Sequence, residues 1–227
     1  LDNIHFEQLS FKYEASEAQV LNSIDFKITN NLFTCITGQS GIGKSTLLDL
    51  LLGLLTAQSG AIRLDGIQLE KSNMRAWQNN IGYVPQHIQL IEGTIADNIC
   101  FGINKQEIDT KRLKKVCQIA NIDELIERQL KEGYETIIGN GGKSLSGGEK
   151  QRIGIARSLY HDPQILIFDE ATNELDIKTE DQILTAISRL ADKTIIFVTH
   201  KPSIMEKADM IIDLSLMAST RQEGISS

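Results

Sequence analysis

The chain is 227 residues long, 41% hydrophobic and 23% charged, which is enough for one large α/β domain or two small ones. A formal net charge of −7 and a pI near 5.2 argue against nucleic acid as the main ligand, because phosphate-backbone binding needs a basic face. Three cysteines, Cys35, Cys100 and Cys117, are odd in number and lack metal-ligand spacing, which points to reduced, mostly buried thiols of an intracellular protein.

The opening "LDNIHFEQLS" has neither a basic start nor an apolar stretch, so no signal peptide is expected, and the missing initiator Met suits a domain cut from a longer chain. Ile4 and Phe6, then Leu9, Phe11 and Tyr13, alternate loosely, and "SIDFKI" puts Ile24, Phe26 and Ile28 on one face, both signs of β structure. "LFTCIT" is an apolar, β-branched run ending at Gly38, as expected of a buried strand. From Lys44, "KSTLLDLLLGLL" is leucine-rich nearly all round, which predicts a helix buried on several sides. Its apolar part is about half the ~20 residues a bilayer demands and carries Asp49.

Strands follow around Ile62–Leu64 and Ile81–Val84. Between about Gly93 and Gly139, "TIADNICFGI", "DTKRLKKVCQIA" and "NIDELIERQLKEG" read as helices with Thr and Asp as N-caps. After "LSGGEK" a helix is predicted to about Tyr160, then the strand "QILIFDE". A helix marked by Ile183, Leu184, Ile187 and Leu190 leads to the strand "TIIFVTH". Strands alternating with helices imply a mostly parallel sheet, interrupted here by a helical insertion. The tail "STRQEGISS" reads as disordered.

Two glycine-rich turns carry the chemistry. "GQSGIGKS" matches G-x-x-x-x-G-K-[ST] with Gly38, Gln39, Ser40, Gly41, Ile42, Gly43, Lys44 and Ser45, between a predicted strand and a predicted helix. Glycines let backbone N–H groups approach phosphate oxygens, and the helix aims its positive end at the same point. Lys44 adds a charge for the β- and γ-phosphates, and the Ser45 hydroxyl can ligate Mg²⁺. "ILIFDE" ends an apolar strand in Asp169, a candidate metal anchor, and Glu170, a candidate general base. Taken alone, that pair could be an ordinary strand end with solvated carboxylates. In "LSGGEKQRIGIARSL", Ser146 is a natural N-cap and Gly147 and Gly148 expose first-turn N–H groups to an anion. By itself this could be a tight turn capping a helix.

Gly38–Thr46, Gln86, Leu145–Glu149, Ile165–Glu170 and His200 occur in an order and spacing that resembles the nucleotide-binding domain of ATP-binding cassette (ABC) transporters, over nearly the whole chain. The resemblance implies an α/β fold: a P-loop NTPase core with a mostly parallel sheet, an antiparallel β subdomain at the N-terminus and an α-helical subdomain inserted at about 87–160. It implies ATP and Mg²⁺ as ligands. The loop Gly38–Thr46 would hold the phosphates, Tyr13 would stack on adenine, and Ser45, Gln86 and Asp169 would face the metal. Lys44, Gln86, Glu170 and His200 form the implied catalytic set. Tyr13 has an alternative reading as an ordinary sheet residue. The resemblance further implies that two copies pack head to tail, with Ser146, Gly147, Gly148 and Glu149 of one capping the γ-phosphate held by the other, and Asp176 communicating across the seam. His5, His87 and His161 match nothing and read as surface residues.

Departures from the family pattern fall in two places. Asn173 and Glu174 stand where the D-loop commonly reads "SA", and Asn140 stands where exporters often have Glu before the signature. "YVPQHIQLIEGTIADNICFG" resembles the exporter pattern, which implies a transmembrane domain fused upstream and a motor at the cytoplasmic face of the cell membrane. A soluble clamp on nucleic acid or ribosome is the alternative; such proteins carry two cassettes or a long coiled-coil insertion, and this acidic chain has neither.

Overall fold

Alternating burial builds the first strands of the computed structural model, which describes residues 2–14, 16–139 and 144–219. Asn140 and nearly all of the expected disordered tail lie outside the described residues. The chain divides into two compact units, one made of residues up to 80 together with those from 193, the other of residues 81–192. The expected insertion at about 87–160 falls inside the second.

In the first unit, β1 (Asn3–Phe11) pairs antiparallel with β2 (Leu21–Thr29). The loose alternation in β1 has a cause. The register shifts between Phe6 and Leu9, and Gln8 takes φ 45°, so one extra residue bulges out and both apolar side chains return to the buried face. Phe6 stacks on Phe26 with ring centroids 4.5 Å apart. Tyr13 lies beyond the end of β1 and is not a sheet residue. Next come β3 (Phe33–Thr37), α1 (Lys44–Leu51), β4 (Ser59–Leu64), β5 (Ile67–Gln68) and α2 (Lys71–Gln78). The antiparallel sheet has the order β2-β1-β4-β5, as the N-terminal β subdomain requires.

Helix α2 escapes the sequence reading because only Trp77 on it is buried. What holds it is polar. Trp77 Nε1 donates to the carbonyl of Leu51 at 2.7 Å and Gln78 Nε2 to that of Leu52 at 2.9 Å, so α2 satisfies carbonyls left open at the end of α1.

The second unit contains β6 (Ile81–Val84), β7 (Gly93–Thr94), α3 (Ile95–Ile99), α4 (Thr110–Ile119), β8 (Ile137–Ile138), α5 (Gly147–Tyr160), β9 (Ile165–Asp169) and α6 (Ile177–Ser188). β6 and β9 are parallel, paired from Ile81↔Ile165 to Val84↔Phe168. α5 packs against α3, α4 and β6. The predicted N-caps hold: Thr94 opens α3 and Asp109 opens α4, each accepting first-turn N–H groups. The segment "NIDELIERQLKEG" is helical from Asp123 to Gln129, its larger part a π turn (Leu125–Gln129), and a 3₁₀ turn (Gly133–Glu135) begins at its last residue. Its buried residues are Ile122, Leu125, Ile126 and Leu130, a helical spacing that puts one face of the segment inward.

The chain then returns to the first unit through β10 (Thr194–Val198), α7 (Pro202–Met205), β11 (Met210–Asp213) and α8 (Leu214–Ser219). β10 and β11 both run parallel to β3, whose Cys35 and Ile36 are fully buried, as an all-apolar run between two neighbours must be. Among the described residues no helix is long and apolar enough to cross a membrane.

Candidate functional site

In the first unit the site grows from the carboxyl ends of β3 and β10. Because Ile36 pairs with Val198, the loop that follows β3 and His200, exposed just past β10, leave the same edge of the sheet, where open α/β sheets bind ligands. The loop 38–43 turns on glycines that no other residue replaces freely. Gly43, the N-cap of α1, has φ 104°, and a Cβ there would lie 2.7 Å from Leu21 Cδ2. Gly41 has φ 79°. No side chain caps α1, and its first turn carries no acid.

Lys44 folds back over this loop, its Nζ donating to the carbonyls of Gly38 at 2.8 Å and Gln39 at 3.0 Å. Gln39 N–H donates to Ser215 Oγ on α8 at 3.0 Å, which anchors the loop's start. Gln39, Ser40, Gly41 and Ser45 are exposed, and Ile42 is half-buried. The result is a helix end with its positive pole uncapped and an ammonium beside it, which is the electrostatic form of an anion site. Tyr13 sits next to it: its hydroxyl and Thr46 Oγ1 are 3.1 Å apart, its ring stands edge-on to Phe11, and 41% of it remains exposed.

In the second unit, register brings the acids to their partners. Gln86 and Glu170 each lie two positions beyond the pair Val84↔Phe168, and they meet, Gln86 Nε2 donating to Glu170 Oε2 at 3.1 Å. Glu170 has φ 49°, a left-handed conformation for a non-glycine residue at the strand's end. From β6, Tyr83 Oη reaches across to Asp169 at the end of β9, donating to Oδ2 at 3.4 Å. Asn173 Nδ2 donates to Glu170 Oε2 at 3.0 Å. Sequence reading missed the contacts of Tyr83 and Asn173; the three-residue step from Glu170 to Asn173 is turn spacing and was the available signal.

The second glycine turn is built differently. Ser146 is the N-cap of α5, its Oγ accepting Glu149 N–H at 3.3 Å. Glu149 Oε2 accepts the Ser146 N–H at 2.7 Å and hydroxyl at 2.9 Å, a complete capping box. The Glu174 carboxylate occupies the space a Cβ on Gly147 would need, and a Cβ on Gly148 would lie 3.0 Å from the Glu174 carbonyl. Glu174 N–H donates to Gln151 Oε1 at 3.1 Å. Gln86, His87, Ile88, Gly147, Lys150, Gln151 and Glu174 line one cavity of about 270 Å³, so Gln86 and the signature turn share a wall. Asp176 caps α6 by accepting Thr179 N–H at 3.0 Å, and hydrogen bonds from Thr179 hold its carboxyl below the ordinary range. Of the three unmatched histidines, His5 is only partly exposed and pairs with Asp25 at 3.1 Å.

A family profile described as ABC transporter matches residues 21–173. An ATP-dependent lipid A-core flippase of Coxiella burnetii is 39% identical over 212 residues, covering 93% of this chain and 36% of the flippase. The ABC multidrug transporter mdr1 of Aspergillus fumigatus is 36% identical over 210 residues, covering 92% of this chain and 16% of the transporter. Among solved structures, a bacterial Atm1-family ABC exporter with ATP bound superposes with a TM-score of 0.86 at 33% identity, covering 94% of this chain and 38% of the exporter chain. This chain spans little more than a third of such relatives, or less.

Proposed function

The chain belongs to the ABC transporter family, and we propose on that footing that it is the ATP-hydrolysing motor domain of a membrane exporter. The observation that carries the reading is the in-register meeting of Gln86 and Glu170 at the ends of two parallel strands, in a chain whose other glycine loop leaves a helix end open beside Lys44.

ATP enters with its phosphates on the loop 38–43, where the first-turn N–H groups of α1 and the Lys44 ammonium meet its charge. Tyr13 offers its half-exposed ring to adenine. The donors suit a hard cation: Ser45 supplies an exposed hydroxyl and Asp169 a half-buried carboxylate. Among the described residues no three His, Cys, Asp or Glu side chains gather to hold a metal by themselves. The family resemblance assigns Ser45, Gln86 and Asp169 to Mg²⁺, which would neutralise charge on the transferring phosphoryl group. Glu170 accepts the proton of the attacking water. His200 contacts the γ-phosphate from the neighbouring strand end.

Two copies assemble head to tail, the Ser146–Gly148 turn of one closing on the phosphates carried by the Lys44 loop of the other. Asp176 and Glu149 lie at that seam. A transmembrane domain, covered by none of these residues and fused upstream as the length of the relatives suggests, converts closure into export at the cytoplasmic face of the membrane. A flippase and a multidrug transporter share this motor type, so cargo is chosen elsewhere in the protein.

The deciding experiment is Glu170→Gln. It should bind ATP normally, form a stable ATP-dependent dimer in sedimentation, and lose turnover by about a hundredfold or more, the scale of a missing general base. Near-native turnover in this variant removes the base assignment. A strictly monomeric ATP complex removes the head-to-tail seam.

A further inference from the structure

Three residues past Glu170, the chain turns back on itself. Asn173 N–H donates to the Glu170 carbonyl at 3.2 Å, and that turn carries the Asn173 side chain over the Glu170 carboxylate, where Nδ2 donates to Oε2 at 3.0 Å. The same oxygen accepts Gln86 Nε2 at 3.1 Å. Two neutral amides therefore converge on one carboxylate oxygen.

The arrangement is anchored. Glu174, the next residue, gives its N–H to Oε1 of Gln151 at 3.1 Å, and Gln151 is 2% exposed on α5. Leu175 N–H closes a further turn onto the Thr172 carbonyl at 3.1 Å. Glu170 itself holds φ 49°, a conformation that persists in a non-glycine residue only where the surroundings over-determine it.

We infer that Asn173 is a positioning residue for Glu170: together with Gln86 it grips one carboxylate oxygen and so sets the direction in which the carboxylate faces the reacting water. The inference rests on the reading of Glu170 as the base. The chemistry explains why an amide serves there. It donates without carrying charge, and it is pinned to a short turn, so little rotamer freedom is lost in making the bond. A role confined to the turn predicts something else, because Asn and Asp serve equally well in turns. A donor role does not tolerate Asp, whose carboxylate would face a second carboxylate across the same gap.

The test is steady-state ATP hydrolysis by the full-length protein carrying Asn173→Ala, Asn173→Asp or Asn173→Gln, beside Glu170→Gln. Wild-type affinity for a fluorescent ATP analogue verifies that each variant is folded. Asn173→Ala should lower kcat about tenfold with KM for ATP held within about twofold, the signature of a group that acts only on the chemical step. Asn173→Asp should lose at least as much despite its identical shape. Asn173→Gln, which keeps the amide, should regain most of the rate. An Asp variant as active as the wild type overturns the positioning role, and so does a loss that appears in KM instead of kcat. If Glu170→Gln keeps its turnover, the base reading falls and the role of Asn173 falls with it. If Glu170→Gln is inactive while every Asn173 variant is unimpaired, only the positioning role falls.

Discussion

The loop 38–43 and the turn 146–148 both place glycines at the start of a helix, and they treat charge in opposite ways. At the first, Gly43 caps α1 with backbone alone, the first turn has no acid, and the Lys44 ammonium folds back over the loop. At the second, Ser146 and Glu149 cap each other in full and the Glu174 carboxylate lies against Gly147. Glycine content alone therefore does not make an anion site. What separates the two is whether the amide dipoles at the helix end already have a protein acid to face. On the proposed reading the first turn takes a phosphate by itself. The second answers its own cap, and in the proposed assembly it completes a site whose phosphate is held by another copy.

The largest expected effect comes from removing the lysine ammonium at the open helix end. Lys44→Ala should weaken ATP binding by about a hundredfold, the scale of losing a charge-assisted contact, as read by titration with a fluorescent analogue. Affinity unchanged by that substitution would erase the contrast between the two turns.

A second comparison uses one substitution at both places. Gly43→Ala must fit a methyl 2.7 Å from Leu21 Cδ2 at φ 104°, and should cost about 1–2 kcal/mol in stability. In a chain of this length that lowers Tm by about 2–4 °C per kcal/mol. Glu149→Ala removes the reciprocal half of the capping box on α5 and should cost about 1 kcal/mol, with no counterpart at α1. Gly147→Ala meets only the far end of the exposed Glu174 side chain, which can swing aside, so its cost should stay below about 0.5 kcal/mol. Melting curves in which Gly147→Ala is the more damaging of the two alanines would mean that Glu174 is held far more firmly than its exposure implies.

Much of this was legible beforehand because it is local. The spacing from Gly38 to Ser45, the acids that end an apolar run at Asp169 and Glu170, and the capping pair Ser146 and Glu149 are each written within a few residues, and short-range sterics and hydrogen bonding enforce them whatever the rest of the chain does. Periodicity likewise marked the buried faces of β2 and α6 in advance. The meeting of Gln86 with Glu170 is of another kind. It exists because β6 and β9, more than eighty residues apart in the chain, pair in one particular register, and a slip of one residue would turn both side chains to opposite faces.

The same holds for α2, a mostly polar helix with only Trp77 buried, which is tied to the end of α1 by Trp77 and Gln78. The bulge at Gln8, the π turn at Leu125–Gln129, and the Glu174 carboxylate beside Gly147 also depend on what each segment finds opposite it. Sequence by itself determined which groups could bind phosphate and move a proton, because those are properties of residue type and local spacing. Tertiary structure decided which of them touch, because side-chain contact depends on strand register and on the packing of distant segments, neither of which is encoded in any single stretch.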